Sequence, residues 1–433
     1  MKTAFIAAGA AGMYCGTCLK DNALASALRV LGEDVTLVPT YTPLRVDEES
    51  ASGERVFFGG IDVYLQEKFP LLRARRGILS RLLGSQVLLR MLSRAALSTS
   101  PANLGRLTIS MLRGEDGNQR RSLLELTEWL SRDVRPDIVH LSNSLLVGFA
   151  REIRKALQVP VVCSLGGEDL FLEGLPDRHR LEALQLIRER GADIKRFIAT
   201  SAYCAGRMAS LIGLDRARID VVLPGISLSE YGPPLPRPEG RPLTIGYLAR
   251  ISPEKGLHIL ADAFRLIVER GELPDVRLRV AGYLGGKDIR YAAAVRSALT
   301  RGKAGHRVEI LGTLERSEKL EFLRSIDLLA VPTVYAETKG IFVLEALASG
   351  VPVVEPAHGS FPELIDATGG GVLHEPGSAE DLARKLVDLL LDPARREDLG
   401  RKGREAVLER FSSARMAEET LLVYRKVIAK GSP

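Results

Sequence analysis

Glu337 and Glu345, separated by Gly340, Ile341 and Phe342, are the carboxylates of this sequence best suited to holding hydroxyl groups around a phosphate. A carboxylate accepts hydroxyl hydrogen bonds in charge-assisted form, and the free amides at a helix start receive phosphate oxygens. With one carboxylate before the helix and the other inside it, a nucleotide-sugar fits along the helix start, its phosphate facing the amides of Gly340, Ile341 and Phe342. Arg250 and Lys255 supply the opposite charge. They flank the turn Ile251 to Glu254, so both cations reach one diphosphate beside a second helix start. No D-x-D-like cluster stands at a suitable strand end, so leaving-group charge is expected to be met by these cations and no metal is expected.

The elements that must position these groups are βα units. Asp327 to Val331 is an apolar strand ending at Pro332, a short helix begins near Gly340, and Val351 to Val354 is the next strand, which places the carboxylates at the carboxyl ends of parallel strands. Thr244 to Leu248 is the strand before the Arg250 turn. Thr3 to Ala8, Asp34 to Val38, Asp137 to His140, Val159 to Ser164, Ile194 to Thr200 and Ile219 to Leu223 read as strands of an earlier sheet. The Pro-rich stretch Tyr231 to Pro238 reads as a stiff linker. At 433 residues the chain suits two domains. The expected fold is α/β with two Rossmann-like doubly wound domains. The division expected is 1–228, 240–412, and a terminal helix over 413–433.

Pro332, Thr333, Glu337, Gly340, Leu344 and Glu345, running into Ala346 to Val354, resemble the donor-site signature of retaining glycosyltransferases of family 4, which have the GT-B fold. Gly246, Leu248, Arg250, Glu254, Lys255 and Gly256 resemble that family's donor-phosphate motif. The resemblance implies that Glu337 faces the sugar, Glu345 holds the ribose, and Gly312 and Leu314 lie at the base. It also implies that the two domains face across a cleft and that the last helix returns to the first domain. By its offset from Leu24 and Ala25, Gly16 matches one of the family's sugar-phosphate glycines, with Cys15 in place of the other. Two positions depart from the pattern: Lys339 replaces an aromatic residue, and Gly166, in Leu165 to Asp169, replaces a histidine that sits over the reacting sugar.

The first half adds candidates on the acceptor side. Gly12, Gly16 and Lys20 lie where the first strand passes into a helix over Leu19 to Leu31, and Glu168 and Asp169 follow the fourth strand. His140, at a strand's carboxyl end, either faces the cleft as a catalytic group or caps local backbone. Cys15 and Cys18 form a C-x-x-C without a zinc or thioredoxin context, and read as small thiols packed in a tight loop. Four cysteines are too few for a disulfide framework.

A net charge of +6 suits anionic ligands but is too weak, without a recognisable motif, to argue for nucleic acid. From Lys68 to Arg113 there are eight arginines and no acid, interleaved with leucines at helical spacing. This basic helical insertion, about 68–114, either covers the first domain or lays 71–97 on an anionic membrane surface. The glycine-broken start reads as a strand instead of a signal peptide, and a cytoplasmic location is expected, peripheral to the inner membrane face if 71–97 makes that contact. The expected activity is transfer of a sugar from a nucleotide-diphosphate sugar to a saccharide, lipid or small-molecule acceptor. Alternatives are a nucleotide-sugar hydrolase or epimerase, and a catalytically weak binding protein.

Overall fold

The computed structural model describes residues 1–9, 16–40, 44, 46–52, 101–234, 238, 240–300 and 302–429. Gly12, Cys15 and the stretch 53–100, with the proposed membrane contact over 71–97, lie outside them.

The chain forms two compact units, one of Met1–Leu223 with Met416–Pro433 and the other of Pro224–Arg415. In the first, β1 (Lys2–Ala7), β2 (Asp34–Pro39), β3 (Ile138–Leu141), β4 (Val161–Leu165), β5 (Arg196–Ala199) and β6 (Ile219–Val221) make a parallel sheet in the order β2-β1-β3-β4-β5-β6. Every residue of β3 and β4 is buried, as expected of parallel strands covered on both faces. The helix Ser413–Ala429 packs here: Met416, Ala417, Leu421 and Tyr424 share a core cluster with Phe5, Leu24, Leu28 and Leu37.

In the second unit, β7 (Leu243–Leu248), β8 (Val276–Ala281), β9 (Val308–Gly312), β10 (Leu328–Ala330), β11 (Val353–Pro356) and β12 (Gly371–His374) pair in parallel in the order β12-β11-β10-β7-β8-β9. The chain leaves β7 toward β8 on one side and β10 toward β11 on the other. The carboxyl ends of these two neighbours therefore form a topological switch point, where open α/β sheets take ligands. The helix Ile341–Ala348 follows β10 and buries all eight of its side chains, which its run of apolar residues requires. Two α/β units, each with a six-stranded parallel sheet, match the expected fold class.

Close backbone approach joins the loops beyond β7 and β10. The Val334 N–H donates to the Glu254 carbonyl at 2.9 Å. Gly256 has φ +71, and a Cβ there would sit 1.7 Å from the Pro332 carbonyl oxygen, so only glycine fits. Gly271 has a similar φ of +70 with open space around its Cβ position. Gly256→Ala is expected to destabilise the second unit by at least ~3 kcal/mol, backbone collision added to left-handed strain, against ~1 kcal/mol for Gly271→Ala. Chemical unfolding of the two variants checks this, and equal losses would contradict it.

Candidate active site

The site is built where β7 and β10 end. Tyr247, fully buried in β7, donates its hydroxyl to the Arg250 carbonyl at 3.1 Å and lies 3.4 Å from that of Lys255, bracing the turn from beneath. From that turn the Lys255 ammonium donates to Glu337 Oε2 at 2.6 Å and to the Tyr335 hydroxyl at 2.8 Å. Tyr335 in turn donates to Glu337 Oε2 at 2.5 Å. Glu337 Oε1 accepts from the amides of Thr338 and Lys339 at 3.1 and 3.3 Å. The ammonium also stands over the rings of Tyr335 and Phe342, 5.1 and 5.3 Å from their centroids.

Burial alone would raise the Glu337 carboxyl. The charges of Lys255 and Lys339 and the hydrogen bonds from Lys255 and Tyr335 outweigh it and hold the acid well below the usual carboxylate range. Glu337 is thus an anion with a fixed counter-cation. Its backbone is held as firmly: the Ser360 amide donates to the Glu337 carbonyl at 2.7 Å, and a Cβ on Gly359 would collide with that oxygen at 2.4 Å.

Arg250 is about one-third exposed, donating to Ser252 Oγ at 3.3 Å and standing 3.9 Å from Glu254, which Lys287 also approaches at 3.8 Å. Gly340 enters the short helix with φ +64 and accepts from Val343 at 3.0 Å, leaving the amides of Ile341 and Phe342 at the helix tip. Glu345 is buried and receives the Lys319 ammonium at 2.5 Å. Gly312 ends β9 with its carbonyl accepting from Gly282 at 2.7 Å, and Leu314 is half-buried in the following loop.

In the first unit the expected candidates turn inward. His140 is fully buried: Nδ1 lies 2.5 Å from the Tyr424 hydroxyl, Nε2 lies 2.8 Å from Ser164 Oγ, and Phe5 stacks on the ring at 4.4 Å. Burial first, and the Lys20 charge second, push this imidazole down, so it is neutral at physiological pH. The cleft-facing role is therefore corrected: Tyr424 of the terminal helix covers the strand end, and both ring nitrogens are engaged within the first unit. Glu168, expected on the acceptor side, is buried, its carboxylate accepting from the amides of Ser144 at 2.8 Å and Gly166 at 2.6 Å. Asp169 lies 3.6 Å from Arg207. Lys20 is buried, 3.2 Å from Asp21 and 3.5 Å from Ser164 Oγ, while Gly16 is exposed at the first position of its helix. That helix, Gly16–Val30, begins three residues earlier than expected, so Cys18 lies in it instead of in a loop, buried and in no disulfide, like Cys163 and Cys204.

Sequence reasoning passed over Tyr335, Tyr247 and Glu355. The first two carry no motif of their own, and their hydroxyls matter only through loops brought together in space. Glu355 breaks the apolar pattern of β11, which was a visible signal. It is fully buried, accepts from the Val331 amide at 3.3 Å, and its Oε2 has no partner among the described residues.

Among the described residues no group of three or more His, Cys, Asp or Glu side chains is arranged to hold a metal ion, and no helix is long and apolar enough to cross a membrane. Residues 234–406 match the family model for glycosyl transferases group 1, and residues 102–230 that for glycosyltransferase family 4. The chain is 29% identical over 248 residues to the D-inositol 3-phosphate glycosyltransferase of Segniliparus rotundus, covering 56% of this chain and 54% of that one. It is 32% identical over 237 residues to the alpha-maltose-1-phosphate synthase of Mycolicibacterium smegmatis, 50% of this chain and 59% of the relative. The chain thus spans little more than half the length of these curated relatives. The crystal structure of Anabaena HepE in complex with UDP superposes with a TM-score of 0.68 at 16% identity, over 98% of this chain and 100% of that one, which shows the shared fold.

Burial pushes the Glu355 carboxyl well above its ordinary 4.5, outweighing the Val331 hydrogen bond and the Lys255 charge, and the Glu337 charge raises it further. A raised acid contributes stability fully present below about pH 4.5 and lost as pH climbs through its folded value. Glu355→Gln keeps the shape without the charge. It is expected to unfold at a higher temperature than wild type at pH 8, with that advantage gone at pH 4; a constant difference across this range would contradict the assignment.

Proposed function

We propose that this chain, which belongs to the family 4 glycosyltransferases of group 1 and carries their two-domain GT-B fold, transfers a hexose from a nucleotide-diphosphate sugar to an acceptor hydroxyl with retention of anomeric configuration. The observation that carries this reading is the Lys255 ammonium, fixed between Tyr335 and Glu337 at the switch point of the second sheet, with Arg250 on the same turn. The relatives named D-inositol 3-phosphate glycosyltransferase and alpha-maltose-1-phosphate synthase, and the UDP complex of HepE, support a nucleotide-sugar donor.

As the glycosidic bond stretches, negative charge grows on the β-phosphate. Arg250, Lys255 and the amides of Ile341 and Phe342 meet it there, so they stabilise the transition state more than the bound donor. Glu337 takes a sugar hydroxyl, and Glu345, steadied by Lys319, takes the ribose. Gly312 and Leu314 line the base. A divalent metal is not needed in this scheme, because two cations already face the leaving group. The location that goes with this reading is the cytoplasm or the inner face of its membrane, and the acceptor is a saccharide, a lipid or a small molecule.

Lys255→Ala and Arg250→Ala are expected to lower kcat/KM by about a hundredfold or more, as loss of a positioned electrostatic donor does. Excess EDTA is expected to leave the rate within about twofold. Initial-rate measurements with UDP-, GDP- and ADP-sugars over an acceptor panel check both. Near-wild-type kinetics in Arg250→Ala, the more exposed and structurally safer variant, would overturn the mechanism. Turnover of the donor without any acceptor would favour a hydrolase or epimerase.

A further inference from the structure

We propose that the Tyr335 hydroxyl is a stand-in for a donor sugar hydroxyl: it holds the place on Glu337 Oε2 that the sugar takes, and leaves when the sugar arrives. The inference rests on the donor-site reading and adds a residue that sets how strongly the sugar moiety binds. A carboxylate offers about four lone-pair positions. All four of Glu337 are engaged, two by the backbone amides of Thr338 and Lys339 on Oε1 and two by Lys255 and Tyr335 on Oε2. A sugar hydroxyl can therefore reach this carboxylate only by replacing one donor.

The four are not equally replaceable. Thr338 and Lys339 are the next two residues of the chain, and removing their amides means unwinding the turn that the Ser360 amide pins at the Glu337 carbonyl. Lys255 supplies the counter-charge of an anion only 7% exposed, and a buried carboxylate left without its cation is strongly penalised. Tyr335 is neutral, half-buried, and carried on the loop between β10 and the short helix. Exchanging its O–H for a sugar O–H keeps the number and type of bonds on Glu337 unchanged, and Lys255 stays in place with its remaining protons for phosphate. The Val334 side chain beside it is well exposed, so the loop has an open side toward which the phenol can turn.

A brace and a stand-in differ in sign. If Tyr335 only steadied the Lys255–Glu337 pair, removing its hydroxyl would weaken nucleoside diphosphate and nucleotide-sugar alike. For a stand-in, Tyr335→Phe spares the sugar the work of breaking an existing hydrogen bond to a charged acceptor, while the diphosphate alone is indifferent. The expected gain is about tenfold in nucleotide-sugar affinity.

The test is calorimetric titration of the full chain with UDP against UDP-glucose, GDP against GDP-glucose, and ADP against ADP-glucose, using the pair that wild type binds. Tyr335→Phe is expected to tighten the nucleotide-sugar about tenfold, leave the diphosphate within about twofold, and lower KM without a matching fall in kcat. In a Glu337→Ala background the same substitution is expected to change neither affinity, since the contested acceptor is gone. A Tyr335→Phe variant that weakens both ligands equally, or leaves their ratio unchanged, overturns the stand-in and spares the donor site. Failure of wild type to bind any of the three diphosphates overturns the donor-site reading and the inference with it.

Discussion

A largely buried ion pair at the carboxyl ends of the two central strands of a parallel sheet governs the second half of this protein. Burying a carboxylate and an ammonium costs several kcal/mol each unless they meet each other in good geometry with their remaining hydrogen-bonding positions filled. Lys255 and Glu337 satisfy that condition only because β7 and β10, far apart in sequence, are neighbours in the sheet. The details around them follow from the same requirement. Gly256 lets one loop touch the other, Gly359 lets a third segment reach the Glu337 backbone, and Tyr247 holds the lysine turn from below. Each is a restriction on sequence that has no purpose in a sheet whose strand ends are left to solvent.

The two units use similar architecture to opposite effect. In the first, the polar residues near the carboxyl ends of β3 and β4 are consumed by one another: Lys20 by Asp21 and Ser164, His140 by Ser164 and Tyr424, Glu168 by backbone amides. In the second, Arg250 remains partly exposed and the tip of the short helix keeps amides beyond its own ladder. Uncommitted charge and hydrogen-bonding capacity, more than the fold, mark a strand end that can take a ligand.

The layout of both sheets was legible because parallel strands announce themselves as short apolar runs and their βα connections as glycine-punctuated turns. Arg250, Lys255, Glu337 and Gly340 were legible for a related reason: each sits within a few residues of a strand's carboxyl end, so local spacing and general sheet rules nearly fix its place. His140 sits at such an end too, but Tyr424 covers it from a helix at the far terminus of the chain, and no local pattern reports a partner that distant. Tyr335 was hidden by the same logic, since its importance lies in touching a lysine carried by another strand end. Glu168 drew notice through the resemblance of Leu165 to Asp169 to a family segment, and its bond from the Gly166 amide is a local contact that residue type alone does not report. Lys339 was noticed as a departure, and its charge does act on Glu337.

The claim on which the rest stands is that Lys255, held by Glu337, meets the terminal phosphate of a nucleoside diphosphate. The most direct measurement is the affinity ratio of UDP to UMP, with the guanosine and adenosine pairs beside it, in wild type and in Lys255→Ala. The wild-type ratio is expected to be large and the variant's to fall close to one, while UMP binding itself changes little. An undiminished preference for the diphosphate in the variant would mean that the phosphate is held elsewhere and that the ion pair serves the fold alone.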